Sequence, residues 1–245
     1  MNNTHANKAE YYDLGRPGYP AAFYDWLYGA FGLGRDAVIA DIGAGTGKIT
    51  KGFLERGNRV FAIEPDEDMR CILTGKLSLF ENCAVLGNSA EDTEIPSDTI
   101  DLIFCGNAYD WFDRARVIPE FRRILKNSGG ANVILATLGS IKNDGQLTKA
   151  LARFEKPIEG KQQNWSMPFR EGAFVTQEFI YALDQGWSAF SNGLLSTSFS
   201  PNPGDDCFDE YVQVLKQHFD RYSCKHKLKT EFKINCKIGN ANDLI

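Results

Sequence analysis

Short apolar runs alternate with segments of helical periodicity along the first part of the chain. The apolar runs predict buried strands at residues 38–42, 59–64, 83–86, 99–105 and 131–138. Helical patterns lie between them at residues 48–56, 66–76 and 113–126. Because strands that alternate with helices form right-handed βαβ units, the pattern predicts an α/β fold with a doubly wound, mainly parallel sheet.

The pattern after the fifth predicted strand is less regular. It predicts helices at residues 144–154 and 206–219, a strand or extended arm at 173–181, and a last strand at 227–238. We expect one domain over residues 1–245. Within it we expect an N-terminal lid segment at residues 1–30 and an inserted cap at residues 144–205.

The composition and charge are those of a soluble globular protein. Hydrophobic residues make up 43% of the chain and charged residues 24%, and the formal net charge is −5. An acidic chain without a long Lys/Arg run is not expected to bind nucleic acid, because neutralising phosphates needs a basic surface. The basic cluster at residues 225–233 is interpreted as a solvated strand edge.

No membrane segment or metal site is expected either. No stretch approaches the ~20 apolar residues of a membrane helix, and the polar N-terminus lacks the apolar core of a signal peptide. The six cysteines include no C-x-x-C pair, and the three histidines have no metal-ligand spacing. We therefore expect reduced thiols in a cytoplasmic protein.

The first predicted strand ends in a glycine-rich turn. Gly43, Gly45 and Gly47 follow it, and residues without a Cβ let a ligand approach the backbone. A dinucleotide fingerprint needs its last glycine at position 48, which is Lys48. Asp41 precedes the turn, so the arrangement suits a ligand with an amino-acid end better than one with a pyrophosphate.

Polar groups follow three of the predicted strands, where open parallel sheets bind ligands. Asp41 either accepts from a ligand ammonium or caps the turn. Glu64 ends the second predicted strand and can accept both hydroxyls of a ribose. Residues 88–91 can bind an adenine edge, and Met69 either covers an adenine face or packs in the core.

Five segments of the chain match, in order and spacing, the motifs of one protein family. They are Tyr11 with 16–20, 39–48, 62–66 with Met69, 89–91 with 95–96, and 107–113. The chain resembles the class I S-adenosylmethionine-dependent methyltransferases, in the methyltransferase-11-like branch that acts on small molecules. This resemblance implies S-adenosyl-L-methionine as the methyl donor and a Rossmann-like methyltransferase fold with a seven-stranded sheet.

The resemblance also implies the residues of the site. The donor-binding set is Tyr11, Arg16, Asp41, Gly43, Ala44, Gly45, Glu64, Pro65, Met69, Ser89, Ala90, Glu91 and Asn107. Within it, Asp41 and the glycines surround the methionine part, Glu64 binds the ribose and residues 89–91 bind the adenine. Tyr11 and Arg16 belong to the lid segment that folds over the donor. The substrate-binding set is Tyr19, Tyr109, Trp111 and Phe112.

The loop after the fourth predicted strand departs from the family pattern. Many relatives carry Gln and His where this chain has Asn107 and Asp110. Without the His, Asp110 and Tyr109 are the candidates for a general base, which a hydroxyl or carbon acceptor needs and a carboxylate or thiolate does not. Trp111 and Phe112 either form a site wall near a sulfonium or pack against the next helix.

Three functions are open at this point. The first is methyl transfer to a small-molecule acceptor, by in-line displacement at the donor methyl. The others are methyl transfer to a macromolecule such as tRNA or protein, and donor binding without turnover. The acidic charge and the absence of an Asn/Asp-Pro-Pro-Tyr-type motif count against nucleic acid bases, so the sequence favours the small molecule. Residues 196–201 resemble a segment that lines the acceptor side in such enzymes.

Overall fold

A computed structural model describes residues 8–126, 130, 132–140, 145–156 and 168–245. The chain forms two compact units. The first unit holds the described residues of Met1–Pro17, Gly139–Gly160 and Ile180–Lys233, and the second holds those of Gly18–Leu138, Lys161–Phe179 and Ile234–Ile245. Parts of the predicted lid segment, of the predicted strand at 131–138, of the predicted helix at 144–154 and of the predicted cap, at residues 1–7, 131, 141–144 and 157–167, lie outside the described residues.

The strands form one sheet. They are β1 Val38–Ile42, β2 Arg59–Ile63, β3 Cys83–Leu86, β4 Leu102–Gly106, β5 Val133–Ser140, β6 Phe174–Gln185 and β7 Leu228–Gly239. Their order is β3-β2-β1-β4-β5-β7-β6, and β1 to β5 pair in parallel. The N–H of Asn132 donates to the carbonyl of Gly239 (3.0 Å), so β7 runs antiparallel to β5. The chain order reverses between β1 and β4, which is where such sheets bind ligands.

Helices connect most of the strands. They are α1 Ala9–Gly15, α2 Ala21–Phe31, α3 Thr50–Glu55, α4 Glu67–Leu77, α5 Arg114–Ile124, α6 Gly145–Leu151, α7 Trp187–Leu195 and α8 Phe208–Tyr222. Asp66 and Asp113 precede α4 and α5, and their carboxylates accept from the N–H groups of Met69 and Ala115. These caps satisfy N–H groups that have no partner inside the helix, so both helices begin at defined positions after their strands.

Each unit has its own apolar core. In the second unit, β1, β2 and β4 are almost wholly buried, and Phe121 and Ile124 of α5 belong to the core around them. In the first unit, Tyr211, Leu215 and Phe219 lie on one face of α8 and pack with apolar side chains of α6 and α7. Within the described part of the chain, no helix is long and apolar enough to cross a membrane.

The predicted fold class is confirmed, and the predicted strands at 38–42 and 83–86 have the observed bounds. The fourth strand is predicted from residue 99 but begins at Leu102. The reason is that the N–H groups of Thr99 and Ile100 donate to the carbonyl of Ile124, so these residues close the end of α5 instead of extending the strand.

Three other features differ from the sequence-based expectation. The basic cluster does not lie on a sheet edge, because β7 lies between β5 and β6. The predicted strand or extended arm at 173–181 is observed as β6, but this strand belongs to the sheet although it lies in the range predicted as a cap. Helices α1, α2 and α7 are not predicted, since their aromatic, small and glycine residues give no clear 3.6-residue period of polarity.

Candidate functional site

β1 ends in a turn whose backbone needs glycine. Three of its residues have left-handed backbone angles: Gly43 (φ 74°), Gly45 (φ 56°) and Gly47 (φ 81°). The N–H groups of Gly43 and Ala44 donate to the carbonyl of Ile63 at 2.9 and 3.0 Å, which joins the turn to the end of β2. A Cβ on Gly43 would lie 2.4 Å from the Cβ of Ala108, so the loop after β4 closes directly over the turn.

Gly47 serves a different purpose from Gly43. A Cβ on Gly47 would lie 2.6 Å from Leu73 Cδ1 and 3.3 Å from Leu77 Cδ1, both on α4. This glycine therefore allows α4 to pack against the turn, whereas the first glycine allows the turn to meet the loop after β4.

Asp41 is a fully buried carboxylate with one unsatisfied oxygen. Its exposed fraction is 0%, and its Oδ2 accepts from the hydroxyl of Thr50 on α3. Its Oδ1 has no hydrogen-bond partner among the described residues. Burial raises the pKa of Asp41 from 3.8 to about 7, the Thr50 hydrogen bond opposes this, and the carboxylate of Glu64 adds to it. A buried, unpaired oxygen of this kind favours a ligand that brings a donor or a positive charge.

Glu64 is held between the glycine turn and the start of α4. The residue is 8% exposed, and its carboxylate accepts from the N–H of Gly45 at Oε2 (2.7 Å) and of Asp66 at Oε1 (2.9 Å). Arg70 donates to the carbonyls of Glu64 and Pro65, both at 2.9 Å. Burial raises the pKa of Glu64, and the two backbone hydrogen bonds oppose it. Each carboxylate oxygen has a second lone pair, so the group can still accept from a ligand.

The loop after β3 is closed by a backbone hydrogen bond. The N–H of Asp92 donates to the carbonyl of Ser89 (3.3 Å), which closes a turn around Ala90. Ala90 and Met69 are each only 4% exposed. Met69 thus contributes to the core of the second unit, and its contact with an adenine face stays a prediction.

Two residues that are predicted to bind the methyl donor use their side chains to form hydrogen bonds with backbone groups of the protein. Asn107, with φ 58°, donates to the carbonyl and accepts from the N–H of Leu138, both at 3.0 Å. Oε1 of Glu91 accepts from the N–H of Asp113 at 2.9 Å. Both side chains therefore position the loop after β4, a role that the sequence does not indicate.

Tyr109, predicted as a catalytic and substrate-binding residue, is buried. It is 6% exposed, and its hydroxyl has no hydrogen-bond partner within the described ranges. Burial raises the pKa of Tyr109 to about 12, although the guanidinium of Arg114 opposes the shift. A phenol with this pKa stays protonated near neutral pH, so the structure counts against Tyr109 as the base. Asp110 is more accessible, at intermediate exposure.

Aromatic side chains surround the end of β4. Tyr19 meets Phe104 edge-on with ring centroids 5.6 Å apart, and its hydroxyl lies 2.8 Å from where a Cβ on Gly106 would be. Phe112 lies close to the glycine turn, since its Cζ is 3.7 Å from the position of a Cβ on Gly43. Trp111 and Phe112 are half-buried. The second unit thus brings these aromatics to the same strand end as the glycine turn.

The two predicted lid residues lie in the first unit. Nε of Arg16 donates to the hydroxyl of Ser196 (2.9 Å), and its guanidinium lies over the ring of Tyr12 at 5.4 Å. Tyr11 packs against the apolar core of that unit. The structure therefore joins Arg16 to the start of the segment at 196–201, and the contact of both lid residues with the donor stays a prediction.

Several residues of these arrangements are not predicted from the sequence. Thr50 binds Asp41 from the next helix, and Ala108 lies directly against Gly43. The buried Lys8 donates to the carbonyls of Thr197 and Ser200, both at 2.8 Å. No sequence pattern marks these residues, because each acts through a partner from another element.

Comparisons with known proteins agree with this geometry. The family model described as a methyltransferase domain matches residues 40–132. An uncharacterized methyltransferase of Geobacillus kaustophilus is 33% identical over 218 residues, which are 85% of this chain and 94% of the relative. The chain belongs to the class I S-adenosylmethionine-dependent methyltransferases. The resemblance to this class, inferred from the sequence motifs, is confirmed.

Other relatives of this methyltransferase match over a shorter range. An uncharacterized methyltransferase of Mycobacterium tuberculosis is 34% identical over 140 residues, so the matched part covers 56% of this chain and 55% of the relative. Among solved structures, a candidate type II methyltransferase from Anaeromyxobacter dehalogenans has a TM-score of 0.64 at 22% identity and covers 92% of this chain and 98% of its own. This likeness supports the fold.

Proposed function

We propose that this protein transfers the methyl group of S-adenosyl-L-methionine to a small-molecule acceptor. The observation that carries the proposal is the buried carboxylate of Asp41, whose Oδ1 has no partner among the described residues. The ammonium of the donor's amino-acid part would supply that partner and would lower the pKa of Asp41.

The other residues of the second unit fit the rest of the donor. Glu64 has lone pairs free for ribose hydroxyls, and the turn at Ser89 and Ala90 offers backbone groups to an adenine edge. Gly45, whose φ is 56°, lets the backbone approach the methionine part without a Cβ in the way. Tyr11 and Arg16 as a closing lid, and the cytoplasmic location, stay predictions.

The chemistry needs positioning more than it needs acid–base groups. When bound, the donor supplies a methyl on a sulfonium sulfur, and an acceptor lone pair forms the new bond as the carbon–sulfur bond breaks. Holding the acceptor in line with the methyl group can lower the activation barrier by roughly 7–11 kcal/mol. Aromatic side chains would exclude water from the site and favour the cationic sulfonium; they are those of Tyr19, Trp111 and Phe112. If the acceptor is a hydroxyl, Asp110 would take its proton.

Two measurements test this function. Calorimetry should show tighter binding of S-adenosylhomocysteine than of NAD, because Lys48 replaces the last glycine of the dinucleotide fingerprint. Purified protein and donor should then form S-adenosylhomocysteine with a low-molecular-weight metabolite extract, and the Glu64→Ala variant serves as the control with impaired donor binding. Tighter NAD binding would refute the donor. Product formed only with a tRNA or protein fraction would refute the small-molecule acceptor.

A further inference from the structure

The loop at residues 107–113, here called the acceptor loop, is anchored within the second unit. The amide of Asn107 pairs with the backbone of Leu138, which fixes one end of the loop to β5. The Cβ of Ala108 lies 2.4 Å from where a Cβ on Gly43 would be, which fixes the next residue to the glycine turn. Both anchors are made to the sheet and its turn, and they leave the other end of the loop to a different contact.

Glu91 anchors the far end of the acceptor loop. Its Oε1 accepts from the N–H of Asp113, which is the residue that caps α5. A negative charge at this position also favours the helix N-terminus, where the peptide dipoles leave partial positive charge. Glu91 directly follows Ser89 and Ala90 in the chain, so its side chain connects these two residues to the acceptor loop.

A second connection joins the segment at residues 89–95, here called the adenine loop, to α5. Oε1 of Glu120 accepts from the N–H and the hydroxyl of Thr93 at 2.8 and 2.6 Å, and Arg123 donates to both oxygens of Glu120 at 2.7 Å. Although burial opposes it, these hydrogen bonds lower the pKa of Glu120 to about 2. The carboxylate is thus ionised near neutral pH, and the adenine loop has a fixed base from which Glu91 reaches the acceptor loop.

We propose that Glu91 is a positioning residue that couples donor binding at the adenine loop to ordering of the acceptor loop through its hydrogen bond to Asp113. The inference rests on the proposed donor site. If donor contacts at Ser89 and Ala90 restrict the adenine loop, Glu91 is restricted with it, and the Asp113 N–H then has a fixed acceptor. The aromatic side chains of the acceptor loop would in this way be held more firmly in their positions once the donor binds.

Hydrogen–deuterium exchange of the full chain, with and without saturating S-adenosylhomocysteine, tests this coupling. In the natural protein we expect slower exchange in peptides covering residues 87–92 and also in those covering 107–114, by about 5-fold or more, the lower end of typical coupling between sites. In Glu91→Ala the ligand should still protect residues 87–92 but no longer protect 107–114. Glu91→Gln keeps an acceptor oxygen and should restore protection of both segments.

A second pair of variants tests the same hydrogen bond from its donor side. Asp113 has φ −74° and follows a residue in extended conformation, so Asp113→Pro removes the N–H without forcing the backbone. Asp113→Ala loses the same cap on α5 but keeps the N–H, and is the matched control. We expect coupling to be lost in Asp113→Pro and kept in Asp113→Ala, even if the alanine variant at position 91 does not fold.

The possible failures can be told apart. If the natural protein does not bind S-adenosylhomocysteine, the proposed function fails and this inference fails with it. If the ligand binds but residues 107–114 are not protected, or if Glu91→Ala and Asp113→Pro retain the full protection, the function stands and the coupling through Glu91 is refuted.

Discussion

Replacing Asp41 by Asn should raise the unfolding free energy of the ligand-free protein. It should also weaken the binding of the methyl donor. Asn has the same shape, and its amide oxygen can still accept from the hydroxyl of Thr50. Its NH₂ group would then occupy the position of Oδ1, which has no partner among the described residues. The change removes the buried charge. It also places an N–H group where we propose that the ammonium of S-adenosylmethionine lies.

The size of the stability effect follows from the pKa of Asp41. The pKa is about 7 in the folded protein, against an ordinary value of 3.8, because the carboxyl is buried. Between these values the folded protein holds a proton that the unfolded chain has released, so stability falls as the pH rises. At about 1.4 kcal/mol per pKa unit the shift sets an upper bound of roughly 4 kcal/mol. We expect about 1–3 kcal/mol, since buried sites relax around a charge.

Urea unfolding at pH 5 and pH 8 measures the effect, with the natural protein and Asp41→Asn compared at each pH. Distant titrating groups are common to both proteins, so the difference between their unfolding free energies reports Asp41 together with its interaction with Glu64. The unfolding free energy of the Asn variant, relative to that of the natural protein, should rise by about 1–3 kcal/mol between pH 5 and pH 8. By calorimetry, its affinity for S-adenosylhomocysteine should fall by about 1.5–3 kcal/mol. A pH-independent difference, or unchanged affinity, would refute the reasoning.

Three further substitutions test other parts of the site. Glu64→Ala should weaken S-adenosylhomocysteine binding by about 1.5–3 kcal/mol, measured by calorimetry, and unchanged affinity in a folded variant would place the ribose elsewhere. Gly43→Ala should lower the unfolding free energy by about 1–3 kcal/mol, since its Cβ would meet that of Ala108 and its φ is positive; a neutral result would show that the loop after β4 yields easily. Tyr109→Phe should keep turnover with a metabolite extract, whereas a loss of about 10²–10⁴-fold would make Tyr109 the base after all.

The strands and the glycine turn could be predicted because their residues are constrained locally. Parallel strands buried on both faces are continuous apolar runs, and a left-handed turn selects glycine whatever surrounds it. The contacts of Gly43 and Gly47 could not be predicted, since one faces Ala108 and the other faces α4. The sequence treats these glycines alike, and only the packing of distant segments gives them separate roles.

Side-chain partners were the part of the site least accessible from sequence. Asn107 and Glu91 lie in motifs typical of donor-binding proteins, yet their side chains bind the backbone of Leu138 and Asp113. The buried hydroxyl of Tyr109 is likewise invisible in the sequence, because a tyrosine in a polar loop looks accessible. A motif specifies which residue types occur at a strand end. The segments that pack against that strand end determine which partner each side chain binds.

The electrostatics of the second unit explain why the turn should prefer a sulfonium amino-acid donor to a dinucleotide. Asp41 and Glu64 lie at the ends of adjacent strands, and the carboxylate of Glu64 adds to the cost that burial sets on ionising Asp41. A pyrophosphate would add further negative charge beside these two carboxylates. A ligand with an ammonium and a sulfonium would instead reduce the repulsion, so the same feature that destabilises the protein without donor would favour the cationic ligand.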